Sequence, residues 1–277
     1  MGHRHGAPTP GAGTGRQLPR RTSTEKLASG RHPLYRNIIK VPWSLSQDRP
    51  ARKLPAMAEP PRILVLNPNS DRGCTDTIRA SLRPFALPGG PRLDVETLEG
   101  GPPAIRTWRD WHAVAEPLAR RVEAAEGEGD PPAAFVVACV SDPAIDLLRS
   151  VTRRPVFGAL RSGIAAAVAR AGRFGLVAFV DASVQRQERV LQALGLEARS
   201  VGSLPLNLAM ADLLDAEAPR ARLAEVAREL RGRGAESVVL GCAGMAGHRR
   251  FLEDAVGLPV IEPCQAAVAQ AVLSCAG

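Results

Sequence analysis

Short apolar runs rich in Val, Ile and Leu recur from residue 62 to the C-terminus, and mixed polar stretches separate them. Most of these runs lack an alternation of polar and apolar positions, which is typical of strands covered on both faces. The predicted strands are Arg62–Leu66, Leu93–Leu98, Ala134–Ala138, Pro155–Phe157, Phe174–Phe179, Ser237–Leu240 and Pro259–Ile261. The predicted helices are Cys74–Phe85, Arg109–Glu126, Pro143–Ser150, Arg161–Ala171, Ser183–Leu194, Ala218–Arg233, His248–Ala255 and Gln265–Ser274.

The alternation of strands and helices predicts parallel sheets joined by right-handed crossovers. The two halves also look alike, since RILVLNPNS and FVVACVSDP in the first half correspond to RFGLVAFVDAS and SVVLGCAGM in the second. We therefore predict an α/β fold of two pseudo-symmetric lobes, each a mainly parallel sheet flanked by helices, with the active site in the cleft between them. The predicted first lobe comprises residues 59–157 plus 262–277, and the second comprises residues 158–261.

The positive charge of the chain is concentrated near its beginning. Of the 36 Lys and Arg residues, 11 lie in residues 1–56, against two of the 28 acidic residues. The remainder is nearly neutral, so the high isoelectric point does not indicate nucleic-acid binding. Because residues 1–58 are rich in Gly, Pro and Arg and lack periodicity, we predict a disordered basic leader. We expect Met57 to be the true start, and an Arg-rich transit peptide is the alternative.

Composition excludes several classes of protein. Lysine is absent after Lys53, which rules out a pyridoxal-phosphate enzyme with a Schiff-base lysine and a P-loop in the folded part. No apolar stretch is long enough to span a membrane. Five cysteines without a Cys-x-x-Cys pair favour a reducing, cytoplasmic location and argue against structural zinc.

Two cysteines lie in matched settings. Cys139 follows AAFVVA, Cys242 follows SVVLG, and each precedes a small-residue turn that opens into a predicted helix. We expect each thiol at the carboxyl end of a strand beside a helix N-terminus, which lowers a thiol pKa from its usual value of about 8.5. A thiolate can take a proton from a carbon next to a carbonyl group, and a thiol on the opposite face can return one without any cofactor. We interpret Cys74, Cys264 and Cys275 as small buried hydrophobic residues.

Four motifs follow one another in the folded part: ILVLNPNS, GPPAI, ACVSDPAID and LGCAGMA. In this order they resemble the aspartate/glutamate/hydantoin racemase superfamily, and most closely its hydantoin/allantoin racemase branch. The resemblance implies two α/β lobes and cofactor-independent racemisation by two cysteines, here Cys139 and Cys242. The fourth motif matches the branch without change. The third differs, because the branch usually has Ala-Cys-Phe-Gly-Asp-Pro-Gly-Leu there.

The resemblance also implies that Asn69 and Ser70 bind substrate oxygens, and their alternative role is to cap the first helix. Further predicted substrate contacts are Ser141 and the turn amides of Val140, Ala243 and Gly244.

Arg161 occupies a position where the branch commonly has glutamate. An arginine in the cleft could pair with a carboxylate, which would favour an acidic substrate over a neutral hydantoin. The alternative is an exposed arginine at the start of a helix. Asp142 is expected to cap the helix that Pro143 begins.

We therefore predict a cofactor-independent isomerase, a racemase that uses two cysteines on a hydantoin-like substrate, either a 5-substituted hydantoin or allantoin. The alternatives are an Asp/Glu-type amino-acid racemase, a cis–trans isomerase of the same superfamily and a non-catalytic small-molecule-binding protein on this fold. The expected partners are the small-molecule substrate and further copies of the chain in a homo-oligomer, with no nucleic acid and no membrane.

Overall fold

A computed structural model describes Gly2 and residues 59–275. The predicted leader, residues 1–58 with Met57, lies outside the described residues apart from Gly2. None of the described helices combines the length and the apolar character that crossing a membrane requires.

Eight strands in residues 59–275 form two parallel sheets of four strands each. The strands are β1 (Arg62–Asn67), β2 (Arg92–Thr97), β3 (Ala134–Val137), β4 (Val156–Gly158), β5 (Phe174–Ala178), β6 (Ser200–Pro205), β7 (Ser237–Gly241) and β8 (Val260–Ile261). The first sheet has the order β2-β1-β3-β4 and the second has the order β6-β5-β7-β8. Because the second order repeats the first, the predicted pair of similar α/β lobes is confirmed.

Helices connect the strands of both sheets. They are α1 (Arg72–Ser81), α2 (Trp108–Ala113), α3 (Ala115–Glu126), α4 (Ile145–Val151), α5 (Ala159–Arg170), α6 (Asp181–Leu194), α7 (Met210–Leu214), α8 (Arg220–Gly232), α9 (Arg249–Val256) and α10 (Pro263–Ser274). Short 3-10 turns cover Arg83–Phe85, Glu197–Arg199 and Ala243–His248.

The structure differs from the sequence prediction at three elements. Strand β6 has the sequence SVGSLP, which offers no apolar run, and helix α7 has only five residues. The predicted helix 109–126 is two helices, α2 and α3. Pro117 has no backbone N–H to donate to Ala113, so the helical hydrogen-bond ladder is broken there.

Helices α5 and α10 pack between the two sheets. Helix α10 contacts β3 and β4 of the first sheet and β7 of the second, and α5 contacts α10, β4 and β7. Buried residues of both sheets therefore share one core, including Ile63, Val136, Leu160, Phe174, Val239 and Val268. The division of the folded part into residues 59–157 plus 262–277 and residues 158–261 stays a prediction, since α5 and α10 contact both sheets.

Gly241 ends β7 immediately before Cys242. A Cβ atom at this position would overlap the backbone carbonyl of Val177 on the neighbouring strand. We expect Gly241→Ala to lower the free energy of unfolding by about 1–3 kcal/mol because β5 and β7 must separate. Chemical denaturation measures this effect. Gly247→Ala is the matched control, since a Cβ there meets no atom within 4 Å, and equal stability losses in the two variants would contradict the packing argument.

Candidate active site

The two matched cysteines lie at equivalent ends of the two sheets. Cys242 directly follows β7, and Cys139 follows β3 by one residue. Strands β3 and β7 occupy the same place in their respective sheets. The structure thus brings one thiol from each lobe to one cavity.

This cavity is small, at about 30 Å³, and it is partly open to solvent. That volume holds about two water molecules. Its lining residues are Asn69, Cys74, Ile105, Ala138, Cys139, Val140, Ser141, Phe179, Ser183, Arg186, Met210, Gly241, Cys242 and Ala243.

Five of the seven predicted substrate contacts lie in or beside the thiol cavity, and two do not. Asn69, Val140, Ser141 and Ala243 line the cavity. Gly244 lies outside its lining, but its backbone N–H donates to the Cys242 sulphur. Ser70 and Arg161 do not line the cavity, and the Ser70 N–H donates to the carbonyl of Pro102 at 2.9 Å.

Arg161 is held by a residue of this chain. Its Nη1 donates to Oδ2 of Asp142 at 3.1 Å, and it faces an outer pocket. Arg161 therefore does not line the thiol cavity, and its role as a substrate contact stays a prediction.

Asp142 caps a different helix from the expected one. Its buried carboxylate accepts hydrogen bonds from the Leu160 N–H at 2.7 Å and the Arg161 N–H at 2.9 Å, at the start of α5. Helix α4 begins only at Ile145. Gly158 leaves room for this carboxylate, because a Cβ there would overlap it.

Asn69 is fixed by its neighbours. Its Oδ1 accepts from Asn67 Nδ2 at 2.9 Å and from the Asp71 N–H at 3.0 Å, and its Nδ2 lies 3.7 Å from Cys74 Sγ. Helix α1 is capped by Asp71, so the alternative capping roles of Asn69 and Ser70 are wrong. Burial raises the pKa of the Cys74 thiol to about 11.

The pKa values of both thiols are raised, whereas the sequence predicted that they would be lowered. Burial raises the pKa of Cys139, and it raises the pKa of Cys242 well above its ordinary value. The loss of water outweighs the local donors, which are Ser141 at Cys139 and the Gly244 N–H at Cys242. Ser141 Oγ lies 3.4 Å from Cys139 Sγ, and the charge of Arg186 also favours the Cys139 thiolate.

Residues 105–111 connect the first lobe to helix α6 and its preceding turn in the second. The Arg106 guanidinium stacks on the Phe179 ring at 5.0 Å. Trp108 Nε1 donates to Gln185 at 3.1 Å. These contacts join the segment that carries Ile105 to the turn that carries Phe179, two residues of the cavity lining, and they involve residues that the sequence did not indicate.

Sequence reasoning also missed Arg186. It lies in the buried stripe of α6, which comprises Ser183, Arg186, Gln187, Val190 and Leu191. These positions are spaced by three and four residues, the pattern of a core-facing helix side. An arginine on the core-facing side of a helix is visible in the sequence, and this pattern could have identified Arg186 as a candidate site residue.

Comparisons with known proteins identify the family. The family model described as Asp/Glu/Hydantoin racemase matches residues 63–271. The chain belongs to this family. It is an isomerase of the racemase type, as the sequence predicted.

Similar proteins are known both by sequence and by structure. The chain is 35% identical over 208 residues to a hydantoin racemase from Paenarthrobacter aurescens, covering 74% of this chain and 87% of that relative. The structure of an allantoin racemase from Klebsiella pneumoniae matches with a TM-score of 0.70 and 27% identity, over 76% of this chain and 86% of that chain. A glutamate racemase from Bacillus anthracis, at 17% identity and a TM-score of 0.57 over 76% of this chain and 79% of that chain, shares the fold.

Backbone strain is concentrated beside Cys139. Asp142 has a φ of 46° and Ala144 a φ of 62°, in the left-handed region that favours glycine. The racemase branch usually has glycine at the position of Ala144. The loop after the first cysteine therefore keeps its left-handed shape without the residue that best fits it.

We expect Ala144→Gly to raise the free energy of unfolding by about 1 kcal/mol, because a Cβ in the left-handed region costs roughly that amount. Thermal and chemical denaturation measure the change. The control is Ala124→Gly in the exposed part of α3, which should lose about 1 kcal/mol. A loss of stability in both variants would contradict the strain argument.

Proposed function

We propose that this protein is a cofactor-independent racemase that uses Cys139 and Cys242 as an acid/base pair on a hydantoin-like substrate, a 5-substituted hydantoin or allantoin. The observation that carries the proposal is the placement of one thiol from each lobe on a single cavity. The names of the hydantoin and allantoin racemase relatives support the substrate class.

The reaction needs one base and one acid on opposite faces of the reacting carbon. One cysteine, as thiolate, removes the proton from the carbon next to the ring carbonyl, and the electron pair moves onto that carbonyl oxygen. The second cysteine, as thiol, donates its proton to the other face of the planar intermediate. The product is the mirror-image substrate, and the thiol and thiolate have exchanged roles, so the pair is then ready for the opposite enantiomer.

Fixed donors at the cavity can stabilise the negative charge that develops on the carbonyl oxygen. Asn69, Ser141 and the turn amides of Val140 and Ala243 have this role in our proposal. Apolar side chains of Ile105, Phe179 and Met210 complete the lining and exclude water when the cavity closes around the substrate. The predicted homo-oligomer and the cytoplasmic location stay predictions.

Serine substitutions test the roles of the two thiols. We expect Cys139→Ser and Cys242→Ser each to lower the racemisation rate by roughly a hundredfold or more, because each removes one proton-transfer group. In deuterium oxide, each variant should still exchange the substrate proton of the enantiomer that faces its remaining thiol. Polarimetry follows racemisation, and proton NMR follows exchange, for both enantiomers of several hydantoins and allantoin.

The matched control is Cys275→Ser, at the C-terminal end of α10, which should racemise at the wild-type rate. Normal racemisation by either active-site variant would refute the two-thiol mechanism. Wild-type protein that inverts acidic amino acids but no hydantoin would overturn the substrate class and leave the mechanism standing.

The pH profile follows from the thiol environments. Because ionisation creates the base and burial raises both thiol pKa values, kcat/KM should still be rising above about pH 8.5, the usual thiol pKa. The charge of Arg186 favours ionisation of Cys139, so this thiol should ionise before Cys242, and activity should fall again once both are ionised. Initial rates, corrected for the uncatalysed reaction, give the profile. A plateau reached below neutral pH would contradict the dominance of burial.

A further inference from the structure

Arg186 is a buried cation at the edge of the thiol cavity. Its side chain comes from the core-facing stripe of α6 and the residue is only 2% exposed. It lines the cavity that holds Cys139 and Cys242, and it also lines the neighbouring outer pocket. Among the described residues it is the only one that lines both spaces.

Most of its hydrogen-bonding capacity is unused. Nη2 donates to the Ile105 carbonyl at 3.3 Å and to Ser183 Oγ at 3.0 Å. Nε and Nη1 are buried and have no partner among the described residues. Since a guanidinium carries five N–H groups, three of them remain for a ligand.

The charge is likewise uncompensated by a direct ion pair. Within the described part of the chain, no carboxylate lies within 4 Å of Arg186. The Asp110 carboxylate attracts the guanidinium only from a longer distance. This carboxylate accepts hydrogen bonds from the backbone N–H groups of Arg106 and Thr107. The Trp108 ring lies 5.8 Å from the guanidinium. Burying an unpaired charge is costly, and an anionic ligand would offset that cost.

The outer pocket next to Arg186 is also basic. Its volume is about 270 Å³, and Arg161 and Arg189 line it together with Trp108 and Trp111. Arg161 is engaged by Asp142, whereas the Arg189 guanidinium lies over Trp108 at 5.3 Å. Asp142 and Asp146 also line this pocket, so its three arginines exceed its carboxylates by one positive charge, which weakly favours anionic substrates.

We propose that Arg186 is a specificity-determining residue that binds a carboxylate on the substituent of the substrate, so that the enzyme prefers hydantoins with an acidic side chain to those with a neutral one. This inference rests on the proposed racemase function. It differs from the predicted role of Arg161 because Arg186 lines the thiol cavity itself and has unpartnered donors.

The experiment compares hydantoin-5-acetate with a neutral alkyl hydantoin of similar size. Wild-type enzyme should show the higher kcat/KM for the acidic compound. Arg186→Gln should raise KM for the acidic compound by about 10- to 100-fold relative to the neutral compound, the usual value of a charge-assisted hydrogen bond, while the loss of its charge beside Cys139 slows both compounds to the same extent. Arg186→Lys, which keeps the charge, should retain part of the preference.

Arg189→Gln is the matched control, because Arg189 lies over the same Trp108 ring but does not line the thiol cavity. It should leave KM for the neutral compound unchanged and should change KM for the acidic compound far less than Arg186→Gln does. Arg186→Gln removes an uncompensated buried charge, so we expect it to fold with a melting temperature no lower than that of the wild type. Circular dichroism checks this.

Two outcomes would overturn the inference. The first is a wild-type enzyme without preference for the acidic compound. The second is an Arg186→Gln variant that slows both compounds equally and keeps the wild-type ratio of their kcat/KM values, which would leave Arg186 with its effect on Cys139 alone. If the wild type racemises neither compound nor allantoin, the proposed function fails, and calorimetry then tests the anion site separately. Binding of hydantoin-5-acetate that Arg186→Gln abolishes supports the anion site, and equal or absent binding refutes it.

Discussion

The close packing of α5 and α10 between the two sheets determines where every group of the site lies. Gly163 of α5 makes this packing possible, because a Cβ there would lie 3.1 Å from Pro263 Cβ and 3.2 Å from Val239 Cγ1. The shared core fixes the first sheet against the second. The carboxyl ends of parallel strands lie at one edge of a sheet, so fixing the sheets also fixes the two thiols that follow β3 and β7.

Desolvation is the second consequence of that packing. The protein atoms that hold the thiols in place also remove the water that would solvate a thiolate, which is why burial raises both thiol pKa values. The same low-dielectric surroundings strengthen the effect of each remaining charge and dipole. A guanidinium at this cavity therefore acts on an anion more strongly than it would at the surface.

How far the sequence predicts the structure depends on whether a feature is local. The buried central strands and the positions of both cysteines can be predicted from the sequence because apolar runs and their ends are local patterns. Strand β6 is not, since SVGSLP becomes a strand only by pairing with β5. The role of Asp142 is not local either, because it caps a helix that starts 17 residues later. Arg161 and Arg186 look equally polar in the sequence, and only tertiary packing decides that the first is engaged by Asp142 and the second faces the thiols.

Several of the features that break local rules adjoin Cys139. The left-handed Asp142 and Ala144 and the unpaired Arg186 lie on the Cys139 side, whereas Cys242 follows a regular strand and receives only the Gly244 N–H. Unfavourable local features persist where the surrounding structure enforces them, and they concentrate at functional sites. A racemase must handle both enantiomers, yet its two bases need not be alike. In the mechanism that we propose, the charge of Arg186 makes Cys139 the more readily ionised of the two thiols, so that the two enantiomers meet unlike bases.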